Sequence, residues 1–314
     1  MSRLSELLLI ELEDDPAFLM VNTAHFGVKY TINPWMTQEN PVDFDISQGQ
    51  WWNLYTELRK RAEIKILNCA DPKLPDVVFV ANAGSYIPNL SQSNAKHTFF
   101  VSKFKHLERQ PESDFFMKSC PSTHTTLILS EGSFEGDGDL LRLRDCLVIG
   151  SGFRTDHLWI KALGQEMQEL TTLPNVFDSH AIKELQLVDP RFYHLDTCFF
   201  YHSYHGSEIC WFYPGAFSPE SYHRLVKLLA EMFIPYYELS EHEAKQWMGN
   251  AVGVGDTIIA HVFSHGLRII LTTHGFQYVE TPLSEFHKAG GSAKCLTLRV
   301  PKYSEKIVYF SPAL

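Results

Sequence analysis

The sequence predicts an α/β fold in a single domain over residues 1–314. Two observations carry that expectation. Short apolar runs of strand type alternate with amphipathic runs of helical type along the whole chain. No long Pro/Gly/Ser linker or low-complexity block interrupts them.

In chain order, Gln48 to Ala62 reads as a helix and Lys65 to Leu67 as a strand. Val77 to Ala81 follows as a short buried strand that ends in Asn82 and a turn, since Asn and Gly favour turns. Leu141 to Ile149 reads as a strand and Asp156 to Leu170 as a helix. Cys198 to His202 and Ile209 to Tyr213 form a hairpin that turns near His205-Gly206. Ser218 to Phe233 is helical, because Tyr222, Leu225, Leu228, Leu229 and Met232 make one apolar face. Thr257 to Ala260 and Leu296 to Val300 close the series as strands. The alternation has a spacing of roughly sixty residues, with no clear sequence repeat.

Hydrophobic residues are 45% and charged residues 20%, near the globular average. The formal net charge of −10, with no basic cluster, argues against nucleic acid as a partner. His202 to His205 lacks metal-ligand spacing with cysteine. The six cysteines show no CxxC pair and read as reduced thiols. Met1 to Ile10 is too short an apolar run for a membrane span and has no signal-cleavage pattern, so a cytoplasmic location is the expectation.

Four segments carry chemistry. Cys295 follows Gly290-Gly291-Ser292-Ala293-Lys294. Glycines allow close backbone approach, and a neighbouring lysine favours the nucleophilic thiolate. The plainer alternative is a small buried residue at the start of a strand. His194 and Asp196 stand two apart, which in an extended stretch places both on one face, an arrangement suited to general acid–base work. Glu135 opens Glu135-Gly136-Asp137-Gly138-Asp139, a carboxylate beside close-approach glycines that suits holding a cation. Calcium is discounted, because the run passes straight into Leu140 without a terminal glutamate. Asn82 ends the Pro75 to Gly84 segment where side chains line sites.

The order Ala81-Asn82, Glu135-Gly136, His194-Leu195-Asp196 and Gly290 to Cys295 resembles the guanidine-modifying superfamily. That superfamily includes arginine deiminase, dimethylarginine dimethylaminohydrolase, arginine dihydrolase and the amidinotransferases. The block from His25 to Met36 is similar to the bacterial dimethylargininase-like and arginine dihydrolase branch. The resemblance runs from about Met20 to Val300. It implies a five-bladed α/β propeller (pentein) of ββαβ units around a central pocket. It also implies a homodimer, and neither metal nor organic cofactor.

The chemistry accounts for these residue types. A guanidinium is a delocalised cation with a pKa of roughly 12 to 14, so its carbon is a poor electrophile. Carboxylates hold it through paired bonds, a thiolate attacks it, and a histidine protonates the leaving nitrogen. The cation itself favours ionisation of the thiol. By resemblance, Cys295 is the nucleophile, His194 the acid and then base, and Glu135 and Asp196 grip the guanidinium. Asp137 replaces the second glycine of the family's Glu-Gly-Gly-Asp, and Asp139 is either structural or part of the site. Arg154 and Arg109 resemble family arginines that bind the α-carboxylate, while Asn22 and Asn33, polar loop residues near a motif, are candidates for further ligand contacts. Trp35 and Met36 belong to a lid or to the core.

Deiminases carry an aspartate where this chain has Asn82. An amide offers both a donor and an acceptor, so it can hold a neutral ureido product for a second attack. The expectation is therefore arginine dihydrolase, giving ornithine, two ammonia and carbon dioxide. Dimethylarginine hydrolysis is the alternative, with Phe26, Phe79 and Phe153 as candidate linings for methyl groups. Arginine deiminase, amidinotransfer and a catalytically silent binding protein stay open behind it.

Overall fold

In the computed structural model, residues 17–88, 97–119, 125–144, 146–170 and 181–301 are described. The readings placed on Met1 to Ile10 and on Cys120 lie outside them. Fifteen strands among the described residues make five three-stranded sheets.

One ββαβ pattern recurs. The first two strands pair antiparallel, and the second and third pair in parallel across a helix, since a parallel pair needs a crossover. β3 (Gly84–Pro88), β4 (His97–Val101), α2 (Pro111–Ser119) and β5 (Thr125–Leu127) form one unit. β6 (Leu140–Leu143), β7 (Cys146–Ser151), α3 (His157–Leu170) and β8 (Ile182–Gln186) form the next. β9 (Phe199–Tyr204), β10 (Ser207–Phe212), α4 (Pro219–Glu231) and β11 (Tyr236–Glu238) follow, then a short α5 (Glu241–Lys245). β12 (Val252–Val254), β13 (Thr257–Ala260), α6 (His265–Thr273) and β14 (Gln277–Glu280) make another. The remaining unit joins the two ends of the chain. β1 (Ala17–Val21), α1 (Phe44–Arg59) and β2 (Glu63–Leu67) lack a first strand of their own. β15 (Leu298–Val300), which follows α7 (Ser284–His287), supplies it by pairing antiparallel with β1, Ala17 opposite Val300.

Local chemistry sets the boundaries. α1 starts where Asp43 accepts a hydrogen bond from the Ile46 N–H, and it buries Trp51, Leu54 and Leu58 on one face. α4 starts at Ser218 with Pro219 in its first turn and buries Leu225 and Leu229. The β9–β10 hairpin turns through His205 and Gly206, both at positive φ (48° and 82°), as a two-residue turn requires.

The helices and the central hairpin fall where the sequence predicts them. Three strand expectations are corrected. Val77 to Ala81 is buried but forms two 3₁₀ turns, Pro75–Val78 and Val80–Ala83. Pro75 opens the first of them, and local bonds such as Asn82 N–H to Phe79 C=O replace a ladder. Leu141 to Ile149 is two strands, β6 and β7, folded back on each other near Arg144 at φ 49°. The last strand starts at Leu298, because Leu296 and Thr297 close a turn onto Ser292 and Lys294.

The turn before the first strand of each unit holds a residue of interest. Asn82 precedes β3, Glu135 precedes β6, and His194 and Asp196 precede β9. Asn250 precedes β12, and Cys295 precedes β15. The five units thus deliver their polar residues from equivalent places.

Candidate active site

Cys295 is 3% exposed and is held by one side chain. Asn250 Oδ1 accepts the backbone N–H groups of Lys294 (2.9 Å) and Cys295 (3.2 Å). Its Nδ2 donates to Cys295 Sγ (3.2 Å) and to the Asp196 carbonyl (2.9 Å). All four valences of this amide are therefore in use around the thiol. The glycine pair before Cys295 has a steric reason. A Cβ on Gly291 would sit 2.3 Å from the Phe79 ring. Gly290, at φ +84°, brings its carbonyl to the Tyr193 hydroxyl, which donates to it at 2.6 Å.

His194 and Asp196 diverge. His194 is extended, but Leu195–Thr197 forms a 3₁₀ turn, so the two side chains do not share a strand face. His194 Nε2 meets Glu135 Oε2 at 2.9 Å, while the Cys295 thiol donates to Asp196 Oδ2 at 3.5 Å. Asp196 Oδ1 is buried without a hydrogen-bond partner.

Glu135 is fully buried and shared. Its Oε2 also accepts from Arg154 Nη1 (2.9 Å), and its Oε1 accepts the Lys105 N–H (3.2 Å). Arg154 Nη2 donates to the Ile32 carbonyl (2.9 Å), and its guanidinium lies over the Tyr193 ring. Arg109 is held through Nε and Nη2 by both oxygens of Glu112, and its Nη1 donates to Asn82 Oδ1 (2.9 Å). Asn82 Nδ2 donates to the Glu135 carbonyl (3.2 Å).

Burial governs the protonation states. It raises the Cys295 thiol well above its ordinary value, with help from the Asp196 charge. Asn250 and Lys294 oppose that rise but lose, so the expected thiolate-favouring lysine is outweighed. Burial likewise takes Asp196 up to about 7 against the pull of Lys294 and Cys295. His194 falls to about 4, because burial outweighs the attraction of Glu135. For Glu135, burial acts upward, yet Arg154 and His194 hold the carboxyl well below its usual range.

Cys295, His194, Asn82, Arg109 and Arg154 line one narrow cavity, about 260 Å³ with its open mouth included, along with Asn33 and Met36. Glu135 and Asp196 reach it through His194 and Cys295. Asn22 is not among its lining residues. It follows β1, its N–H bonds the Leu67 carbonyl, and its amide is spent on Asn68 and the Cys69 N–H. Asn33 does stand in the wall, tied to Tyr193 and the Ala289 carbonyl. Met36 lines the cavity, whereas Trp35 anchors its loop by donating to the Arg191 carbonyl. Phe79 lines it too, while Phe26 packs in the core on Phe286, and Phe153 lies in a different cluster. Asp139 accepts from the Leu195 N–H and the Thr155 hydroxyl and does not line the cavity. Asp137 stands 3.7 Å from Lys294 Nζ, outside this cavity. Sequence reasoning missed Asn250, whose one signal is that it precedes β12 as Asn82 precedes β3.

Among the described residues, no cluster of three metal-ligating side chains occurs, and no helix is long and apolar enough to cross a membrane.

A buried thiol, a histidine and two carboxylates are thus brought together in the turns of repeated ββαβ units. No family model matches the chain. It is 36% identical over 290 residues to the bifunctional arginine dihydrolase/ornithine cyclodeaminase AgrE of Nostoc sp., covering 90% of this chain and 37% of AgrE. The chain thus spans less than two fifths of that relative's length. It is 32% identical over 284 residues to the N(G),N(G)-dimethylarginine dimethylaminohydrolase of Mycobacterium tuberculosis, covering 90% of this chain and 85% of that protein. The substrate-bound N-terminal domain of ArgZ, a cyanobacterial arginine dihydrolase, matches with a TM-score of 0.74 and 33% identity over 92% of this chain and 99% of that one. A second structure of that domain, covalently bound to a reaction intermediate, matches equally at a TM-score of 0.74, with 34% identity over 92% and 98% of the two chains. The chain belongs to the guanidine-modifying superfamily.

Proposed function

We propose that this protein is a cysteine-dependent hydrolase of the guanidino carbon of L-arginine, and specifically an arginine dihydrolase. The observation that carries the reading is that Asn82 lines the same small cavity as Cys295 and His194. The likeness to AgrE and ArgZ supports it. The sheets are arranged as five blades of one propeller domain with this cavity at its centre, supported by the fivefold ββαβ pattern and the β1–β15 closure. A cytoplasmic setting and a homodimer complete the proposal.

The free site starts with a neutral thiol and a neutral His194. An entering guanidinium brings a positive charge beside Cys295 and favours the thiolate. Asp196 accepts guanidinium N–H groups through Oδ1, its unpartnered oxygen. Glu135 does the same once Arg154 releases it, and Arg154 and Arg109 then take the α-carboxylate. The thiol proton passes to His194, Sγ bonds the guanidino carbon, and His194 protonates the departing ammonia. An S-amidino intermediate remains on Cys295. His194 next takes a proton from water, whose oxygen bonds the carbon as sulfur leaves. Citrulline results, held by the Asn82 amide through its ureido oxygen. A second attack and hydrolysis release ammonia and a carbamate, which yields ornithine and carbon dioxide.

Met36 and Phe79 give the cavity an apolar side, which favours methylated arginine as the second reading. Incubation with L-arginine and quantification of ornithine, citrulline and ammonia tests the proposal. Ornithine with twice as much ammonia and no accumulated citrulline is expected. Citrulline with one ammonia would make the protein a deiminase. Turnover of dimethylarginine alone would install the second reading.

A further inference from the structure

A second cavity lies behind the nucleophile and shares no lining residue with the first. It measures about 1060 Å³ with its mouth included. Side chains of β6, β9, β12 and β15 form its walls. Lys294, next to Cys295 in sequence, and Asp196, 3.5 Å from Sγ, separate the two cavities.

Its charge runs against that of the molecule. In a chain of net charge −10, Arg142, Arg144, Lys294 and Arg299 converge on this one cavity. Arg144 is neutralised by Glu208, which it bonds through Nε and Nη2. Arg142 and Lys294 are less satisfied. Arg142 Nε is buried without a hydrogen-bond partner, and Asp137 reaches it only through space. Lys294 Nζ is buried with no hydrogen bond and has Asp137 at 3.7 Å. Asp137 and Asp196 are the carboxylates on these walls, and His202 is tied to the Gly255 carbonyl. Buried cationic donors without a hydrogen bond, here Arg142 Nε and Lys294 Nζ, are a cost that an anionic ligand removes. The facing walls are apolar: Leu140, Leu141, Phe199 and Phe200.

We propose that this cavity binds a small organic carboxylate with an apolar body, gripped by Arg142 and Lys294, and that its occupancy restrains Cys295. The guanidinium fork of Arg142 matches a carboxylate, and the aromatic wall takes the body. The restraint follows from charge. Lys294 favours the ionised form of Cys295, so a carboxylate paired with Lys294 withdraws that help. An occupied cavity therefore slows attack without blocking the substrate pocket. The binding half stands independently of the arginine-hydrolase reading, whereas the restraint rests on it.

Calorimetric titration of the full chain with benzoate tests the binding half. Benzoate should bind saturably, and at least about tenfold more tightly than acetate, which lacks the apolar body. Arg142→Gln should weaken it at least about tenfold, while Arg154→Gln, in the other cavity, leaves it unchanged. If Arg142→Gln does not fold, Arg142→Lys serves, with an intermediate loss expected. Loss in Arg154→Gln but not in Arg142→Gln, acetate binding as well as benzoate, or no saturable heat would each overturn the site. For the restraint, benzoate should lower kcat on arginine with KM unchanged, and Arg142→Gln should abolish that effect. Inhibition competitive with arginine would overturn it, and absent turnover would sink the hydrolase reading with the titration intact.

Discussion

Arg154 Nη1 donates to Glu135 Oε2 at 2.9 Å, so a guanidinium of the protein itself sits on the carboxylate proposed to receive the substrate's guanidinium. Both groups are buried, with side chains 2% and 0% exposed, so neither can be left unpaired cheaply. Under the proposed function, substrate entry is an exchange of partners: the incoming guanidinium replaces Arg154 on Glu135, and Arg154 turns to the incoming α-carboxylate.

That exchange predicts the behaviour of Arg154→Gln. Loss of one charge-assisted contact to the α-carboxylate should raise KM for L-arginine by roughly 10- to 100-fold. The effect on kcat should be much smaller, since the reacting carbon is elsewhere. Agmatine, the same guanidine without the carboxylate, should lose nothing. Steady-state kinetics on both substrates decide the matter, and an unchanged KM for arginine would remove Arg154 from carboxylate binding.

Asn250 leads to a second prediction. It donates to Cys295 Sγ and accepts from two backbone N–H groups of the same turn, so it fixes the position of the sulfur and favours its ionised form against the pull of burial. Asn250→Ala should lower kcat by about 100-fold, the usual scale for a misplaced reacting group. Iodoacetamide alkylation of Cys295 gives an independent readout. In the parent protein it should be slow at neutral pH and climb only above pH 9, because burial raises the thiol. In Asn250→Ala the climb should move further upward, and in Asn250→Asp further still, since a negative charge joins Asp196 beside the sulfur. A profile that stays put would make Asn250 a scaffold only.

Much of this site is legible in the sequence, and the reason is chemical. Cys295, His194, Glu135 and Asn82 are reactive or polar types set in turns, three of them within four residues of a glycine, where plain packing has no use for them. Asn250 follows Gly249 in an ordinary-looking turn, so only the fivefold repeat marks it, and that repeat lies in topology with little sequence echo. Val77 to Ala81 fails as a strand because apolarity reports burial alone, and a 3₁₀ turn at the centre is as buried as a strand. Asn22 fails because a polar residue at a strand end is equally suited to bridging its neighbour, here Asn68 and Cys69. The pairing of β1 with β15 joins opposite ends of the chain and leaves no local mark.

Asn82→Asp should convert the product. The amide donates through Nδ2 to the Glu135 carbonyl and accepts from Arg109, so aspartate keeps the second bond and loses the first. It also loses the N–H proposed to hold the ureido oxygen of citrulline and puts a repelling charge there. Citrulline should accumulate, with ornithine falling at least about tenfold. A time course of the citrulline-to-ornithine ratio reads this directly. Continued release of ornithine alone would show that Asn82 does not retain the intermediate product.

His194 makes a stability prediction of definite sign. Its folded value, about 4, lies below its ordinary 6.5, because burial disfavours the imidazolium more than Glu135 favours it. Such a group contributes stability that is present above its unfolded pKa and lost as pH falls through the folded one. Between these limits the unfolded chain takes up a proton that the folded protein refuses. The span corresponds to roughly 3 kcal/mol at about 1.4 kcal/mol per unit. Asp196 pulls the other way over much of this window. Its folded value is raised to about 7, so its contribution fades as pH rises. Comparing the parent with His194→Asn cancels that opposing term. Urea unfolding from pH 7 down to pH 4 should show the parent losing stability relative to the variant, most steeply between about pH 6 and 4.5. Parallel curves would mean that His194 titrates near its ordinary value and that the site admits its charge at rest.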